Sequence, residues 1–84
     1  MSYFVYIVKC SDETLYSGFT TNIEKRIHAH NDTKAGAKYT RARRPVTLVF
    51  SQTFETKSEA LSFEASLKKL TRAEKEKLII DNTI

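Results

Sequence analysis

The stretch from Tyr3 to Asn31, YFVYIVKCSDETLYSGFTTNIEKRIHAHN, does most to limit what this chain can fold into. Tyr3 to Cys10 is β-branched and aromatic, the composition of a buried strand. Ser11-Asp12-Glu13-Thr14 is a polar turn and Leu15 to Phe19 a returning strand, so the two predict a hairpin. Gly18 interrupts the second strand, where glycine marks a bulge or a close approach of backbone to another group. Thr21-Asn22-Ile23-Glu24 reads as a capping box with Thr21 at the N-cap. A helix should follow to about Asn31, with Ile23 and Ile27 on one face. The short join keeps the helix N-terminus near the end of the glycine-bearing strand, and amides at such a terminus favour a phosphate.

The remaining chain predicts a loop from Asp32 to Arg44, then a third strand opened by Pro45. That strand runs from Val46 to Phe50 or on to Phe54, with Val46, Leu48 and Phe50 alternating against Thr47, Val49 and Ser51. Thr56-Lys57-Ser58-Glu59 and Thr71-Arg72-Ala73-Glu74 are two more capping boxes, each starting a helix. The order is β-β-α-β-α-α, without repeats or linkers. The expected fold is α+β: one domain over residues 1–84, with a three-stranded antiparallel sheet and helices packed on it.

Eighty-four residues are near the lower end of what a core holds without help. Cys10 is the single cysteine, so no internal disulfide is available, and one unpaired thiol suits a reducing cytoplasm. The start lacks a basic leader and a small-residue cleavage site, and the longest apolar run is far short of a membrane span; neither a signal peptide nor a membrane association is expected. The net charge of +4 is concentrated. Thr33 to Phe54 carries Lys34, Lys38, Arg41, Arg43 and Arg44 and no acid, with Tyr39 among them. Local positive charge of this kind attracts a polyanion, although a solvated surface loop has the same composition.

Several polar residues stand where a minimal core does not need them. Tyr6 and Tyr16 lie on the paired strands, where tyrosine usually packs with its hydroxyl at the rim. Arg26 and His30 lie one turn apart on the first helix, and His28 points elsewhere, to the surface. On the second helix Ala60, Phe63, Leu67 and Leu70 form an apolar stripe, and Glu64 sits at its edge with Leu61 just beyond. A glutamate so placed needs a partner. Arg26 would make it a structural ion pair; a divalent cation would make it a metal ligand. Phenols, a guanidinium, an imidazole, a carboxylate and a basic loop form an inventory suited to phosphodiester hydrolysis.

In that order the residues resemble the GIY-YIG nuclease domain, across essentially the whole chain. Val5-Tyr6-Ile7 stands near the first motif and Tyr16-Ser17-Gly18 at the second. Arg26 closes an N-x-x-x-R pattern begun by Asn22, His30 stands where the family has His or Tyr, and Glu64 matches the metal-binding glutamate. The chain is most similar to the small single-domain bacterial branch, the UPF0213 type. The run YSGFTTNIEKRIHAHN with the later Gly-Ala-Lys-Tyr-Thr also looks like the catalytic subunit of a eukaryotic junction endonuclease. Phe4 or Val5 replaces the leading glycine of the first motif, Ser17 the isoleucine of the second, and Phe19 a lysine that several relatives carry.

The resemblance implies a metal-dependent endonuclease acting on DNA, more so than on RNA, in repair or processing of branched or damaged DNA. Glu64 would hold Mg²⁺ or Mn²⁺, Tyr6 would help deprotonate water, Tyr16 would orient the phosphate, Arg26 would stabilise phosphoryl charge, and Gly18 would admit close backbone. Lys34, Lys38, Arg41, Arg43 and Arg44 would track the nucleic-acid backbone while Tyr39 stacked on a base. A protein partner supplying specificity is also expected. The competing readings are a nucleic-acid-binding module that keeps the fold without cleaving, and a cytoplasmic interaction module whose basic loop meets an acidic protein.

Overall fold

The computed structural model describes residues 2–32 and 38–82. Its elements are β1 (Tyr3–Lys9), β2 (Leu15–Thr20), α1 (Ile23–Asp32), α2 (Lys38–Arg41), β3 (Thr47–Phe54), α3 (Lys57–Lys68) and α4 (Arg72–Asp81). The expected order and fold class hold, with one addition. The segment read as a loop contains α2, a single turn too short to show any periodicity in sequence.

The sheet order is β2-β1-β3, antiparallel throughout, so the most apolar strand is central. Alternate side chains of β1 leave on opposite faces, and both faces are covered. Val5 and Ile7 join Phe50, Ala60 and Leu67 in a cluster completed by Phe63 of α3 and Leu78 and Ile79 of α4. Tyr6 and Val8 join Cys10 and Val46 in a second cluster, closed by Tyr16 and by Ile23 and Ile27 of α1. The first is an all-apolar core with stacked Phe50 and Phe63 rings at 6.2 Å. The second carries the polar groups described below.

The expected alternation along β3 fails. Ile7 pairs with Phe50 but Val8 with Leu48, so Val49 is an extra residue on the outer strand, a β-bulge. The bulge sends Phe50 to the α3 face and Val46 to the α1 face, although their spacing in sequence is even. The β1–β2 hairpin turns through Cys10 to Thr14, where Cys10 N–H donates to Thr14 C=O at 2.8 Å and Glu13 N–H to Cys10 C=O at 3.0 Å. Glu13 adopts φ 70, the left-handed residue that such a loop requires.

The helix starts follow the sequence closely, with two adjustments. Thr71 and Glu74 form a full capping box. Thr56 caps α3 by accepting from Glu59 N–H, but the Glu59 carboxylate takes the Thr56 hydroxyl instead of the N-cap amide. At α1 the cap is Asn22 and not Thr21: the Asn22 side chain accepts from Lys25 N–H at 3.0 Å. Thr20 Oγ1 accepts from Asn22 N–H at 3.1 Å and so places the cap, which extends β2 to Thr20.

The C-terminal end of α1 is tied down by residues ahead of β3. The Asn31 side chain accepts from Val46 N–H at 2.7 Å and donates to Val46 C=O at 3.1 Å, taking the place of a strand partner. Arg44 donates to the carbonyls of Ala29 and His30, satisfying the last turn of the helix.

Candidate active site

Tyr6 and Gly18 are direct cross-strand partners in the hairpin. A Cβ at position 18 would fall on the Tyr6 hydroxyl and Cζ, so the Tyr6 ring lies across the strand where a side chain is missing. The sequence marked Gly18 as a close approach, and what approaches is the phenol. The glycine lets the hydroxyl reach past β2 toward α1, where Arg26 and His30 wait one turn apart on the face that covers the sheet.

Three side chains meet there. The Tyr6 hydroxyl lies 2.7 Å from His30 Nε2, and Arg26 Nε donates to the Tyr6 oxygen at 3.3 Å. On its other side the imidazole lies with Nδ1 2.7 Å from Thr40 Oγ1, from α2. Tyr6, His30 and Thr40 have no exposed surface. Tyr16 leaves β2 on the same face as Gly18 and sets its ring edge-on to His30, centroids 5.6 Å apart. Thus a fully buried imidazole is held by a phenol, a threonine and an aromatic edge.

The surroundings fix protonation. Burial pulls the His30 imidazole down to about 4, with the positive charges of Arg26 and Arg44 acting in the same sense, so the ring is neutral at physiological pH. Burial pushes the Tyr6 phenol up; the Arg26 hydrogen bond and charge oppose this, and the negative forms of Tyr16 and Glu64 add to it. Tyr6 is therefore a neutral phenol paired with a neutral imidazole. The Glu64 carboxylate on α3 is the weakest of these influences on Tyr6. The Glu64 side chain is largely buried, and Lys68 lies 3.6 Å from it one turn on. The apolar stripe behind it is as expected, with Ala60 and Leu67 buried and Phe63 and Leu70 half-buried, while Leu61 is exposed.

The nearby concavity, about 250 Å³, lies on the outer side of Arg26 and is lined by Thr20, Thr21, Asn22, Lys25, Arg26 and Ala29, at the start of α1. The Thr20 and Thr21 hydroxyls, the Asn22 amide and the Lys25 and Arg26 cations border it, groups that can hold a phosphate, in a lining that is otherwise more apolar than polar. Among the described residues no group of three or more His, Cys, Asp or Glu side chains converges. A single carboxylate still fits a hard divalent cation whose remaining positions are water and substrate oxygens.

The basic segment is partly committed to structure. Arg43 Nε pairs with Asp12 Oδ2 at 3.0 Å, its Nη1 donates to Tyr39 C=O at 2.9 Å, and its guanidinium stands 4.1 Å over the Tyr39 ring. Tyr39 also stacks on Tyr16 with centroids 5.7 Å apart. The Thr14 hydroxyl and amide and the Arg43 cation hold the Asp12 carboxyl below its ordinary range. Arg44 is turned onto α1, as described. Arg41 is exposed, Lys38 opens α2, and Lys34 lies outside the described residues. Thr40 is the residue at this site that sequence reasoning missed: one threonine beside Tyr39 in an apparent loop gives no periodic signal.

The fold and site define an α+β domain in which a phenol laid across a strand glycine is backed by an arginine and a histidine from the next helix. The model of the GIY-YIG catalytic domain matches residues 2–77. A UPF0213 protein of Clostridium perfringens is 57% identical over 81 residues, covering 96% of this chain and 86% of its own length. One from Natronomonas pharaonis is 51% identical over 81 residues, covering 96% and 94%. The solution NMR structure of a UPF0213 protein from Bacillus halodurans is 41% identical and superposes with a TM-score of 0.65, over 98% of this chain and 86% of that one. The chain belongs to the GIY-YIG family, with its similar relatives in the UPF0213 group.

Proposed function

We propose that the protein is a divalent-metal-dependent endonuclease that hydrolyses phosphodiester bonds in DNA, with branched or damaged DNA as its expected substrate. The observation that carries this reading is the buried Tyr6–His30 pair with Arg26 on the phenol oxygen, because it supplies proton transfer and phosphate charge at one point. Burial in the native site makes Tyr6 a poor base alone. It acts through its partner: the Tyr6 oxygen takes a proton from water as its own proton passes to His30 Nε2. Arg26, which borders the hollow at the start of α1, moves from the phenol onto the phosphoryl oxygens and so uncovers the hydroxyl. Glu64 would hold Mg²⁺ or Mn²⁺, which supplies Lewis-acid polarisation of the phosphate when bound. Lys25, Lys38 and Arg41 contact the nucleic-acid backbone, with Lys34, and a partner protein adds site selection.

The test is a cleavage panel of single-stranded, duplex, flap and junction DNA, and RNA, with Mg²⁺ or Mn²⁺. The parent should nick at least one DNA, and Glu64→Gln should abolish nicking while binding falls less than about threefold. Because the partner of Glu64 among the described residues is a mostly exposed Lys68, that substitution should change stability by less than about 1 kcal/mol. A second reading is a nucleic-acid-binding module without turnover, favoured by the complete burial of Tyr6. Binding with no cleavage of any substrate by the parent selects it.

A further inference from the structure

The hydrogen-bond directions at His30 follow from one fact: a guanidinium only donates. Arg26 Nε therefore occupies a lone pair of the Tyr6 oxygen, and the Tyr6 hydrogen is free to point elsewhere. At 2.7 Å, His30 Nε2 is the acceptor in line. A neutral imidazole carries one hydrogen, so if Nε2 accepts, Nδ1 holds the hydrogen and donates it to Thr40 Oγ1 at 2.7 Å. The opposite tautomer would bring two donors to the phenol oxygen and leave the phenol's hydrogen without His30, inside a buried site.

We propose that Thr40 is a positioning residue that fixes the Nδ1–H tautomer of His30 and thereby makes Nε2 the acceptor for the Tyr6 hydroxyl proton. Its catalytic consequence rests on the nuclease reading; the tautomer itself does not. The placement of Thr40 gives this a further meaning. It lies in α2, inside the basic segment, between Tyr39, which stacks on Tyr16, and the arginines that tie the segment to the hairpin and to α1. The segment expected to meet nucleic acid thus also sets the direction of the proton relay. Disturbing the one disturbs the other without any contact between Thr40 and substrate.

The experiment uses the full chain labelled with ¹⁵N-histidine, in a His28→Gln background so that His30 alone is read. At neutral pH the ring-nitrogen shifts should show Nδ1 protonated and Nε2 bare. Thr40→Val, nearly isosteric but without the hydroxyl, should move the ring toward the Nε2–H form, and Thr40→Ser should restore the parent pattern. On a cleaved substrate Thr40→Val should lower kcat about 10- to 100-fold with KM little changed, and Thr40→Ser should recover it to within about threefold. A parent spectrum with the proton on Nε2 overturns the proposal, and that reading stands even if the valine variant fails to fold. So does a folded valine variant with the parent's tautomer. If no DNA is cut but the tautomer shifts as described, the nuclease reading fails and the role of Thr40 in orienting His30 stands.

Discussion

The two faces of the central strand are built on different principles. Toward α3 and α4, β1 presents Val5 and Ile7 to Phe50, Ala60 and Leu67, and shape and area do the stabilising. Toward α1 it presents Tyr6 and Val8, and the same depth of burial encloses a phenol, an imidazole and a threonine hydroxyl. A buried polar group costs free energy unless its partners are complete, so the α1 face tolerates fewer arrangements than the apolar one. The α3 face can lose volume gradually; the α1 face must keep its hydrogen bonds. Specificity of geometry, the requirement of a reaction centre, is therefore concentrated on one side of a sheet only three strands wide.

The largest effect should come from the apolar face. Leu67 is 1% exposed in the last turn of α3, and Leu67→Ala removes its side chain from the apolar cluster. A loss of about 2–5 kcal/mol is expected, read from urea unfolding with an unchanged m-value. Since the two clusters lie on opposite faces of the sheet, the His30 ring-nitrogen spectrum of this variant should stay that of the parent while it remains folded. A changed spectrum would mean that the faces are one cooperative unit and not two.

The next effect belongs to the other face and is a pH dependence. His30 is buried and neutral, with its folded value near 4 against 6.5 for the free side chain. The unfolded chain therefore binds a proton that the folded one refuses between those values. Stability from this source is complete above about pH 6.5 and is lost as pH falls toward 4, an upper figure of roughly 3 kcal/mol. Urea unfolding across this range should give a slope that His30→Gln, in the same His28→Gln background, removes. An unchanged slope in the variant would sever the link between the buried imidazole and acid sensitivity.

How much of this was legible beforehand follows the same division. The hairpin, the helix on it and the α3 stripe were readable because periodicities of two and of three to four residues report burial directly, and β1 and α3 obey them. Two failures have a common cause in single residues that break a period: Val49, whose bulge redirects β3, and Asn22, which takes the cap because Thr20 pins it. Tyr6, Arg26 and His30 were visible as polar residues out of place, and the structure brings them together. Glu64 makes none of the hydrogen bonds that join them and pairs with Lys68 on its own helix. Thr40 and Asn31 were invisible, because they act through hydrogen bonds to residues ten and fifteen positions away, which leave no local pattern.

A smaller prediction sharpens the contrast between the faces. Ser17 pairs with Ile7 and shares its apolar face; its hydroxyl is buried and has no hydrogen-bond partner among the described residues. Ser17→Ala should stabilise by about 1 kcal/mol, since it removes a desolvated polar group and little volume. The same kind of deletion at Thr40 should destabilise, because that hydroxyl has a partner. Equal signs for the two alanine variants in thermal or urea unfolding would show that burial, and not partnering, separates the faces.

The smallest effect lies in the hairpin turn, where neither face is involved. Glu13 holds φ 70, and a left-handed residue with a full side chain costs about 1 kcal/mol. Its carboxylate pairs with Lys9 at 2.6 Å, but both side chains are well exposed, so that pair offsets only part of the strain. Glycine would relieve the strain and at the same time loosen the unfolded chain, which returns much of the gain. Asparagine tolerates the left-handed region without that entropic loss. Glu13→Asn should therefore raise stability by about 0.5 kcal/mol and Glu13→Gly by less, both without moving the His30 spectrum or its acid slope. If either substitution shifts that spectrum, strain in the turn reaches the relay through Asp12 and Arg43, the ties that join the hairpin tip to the basic segment.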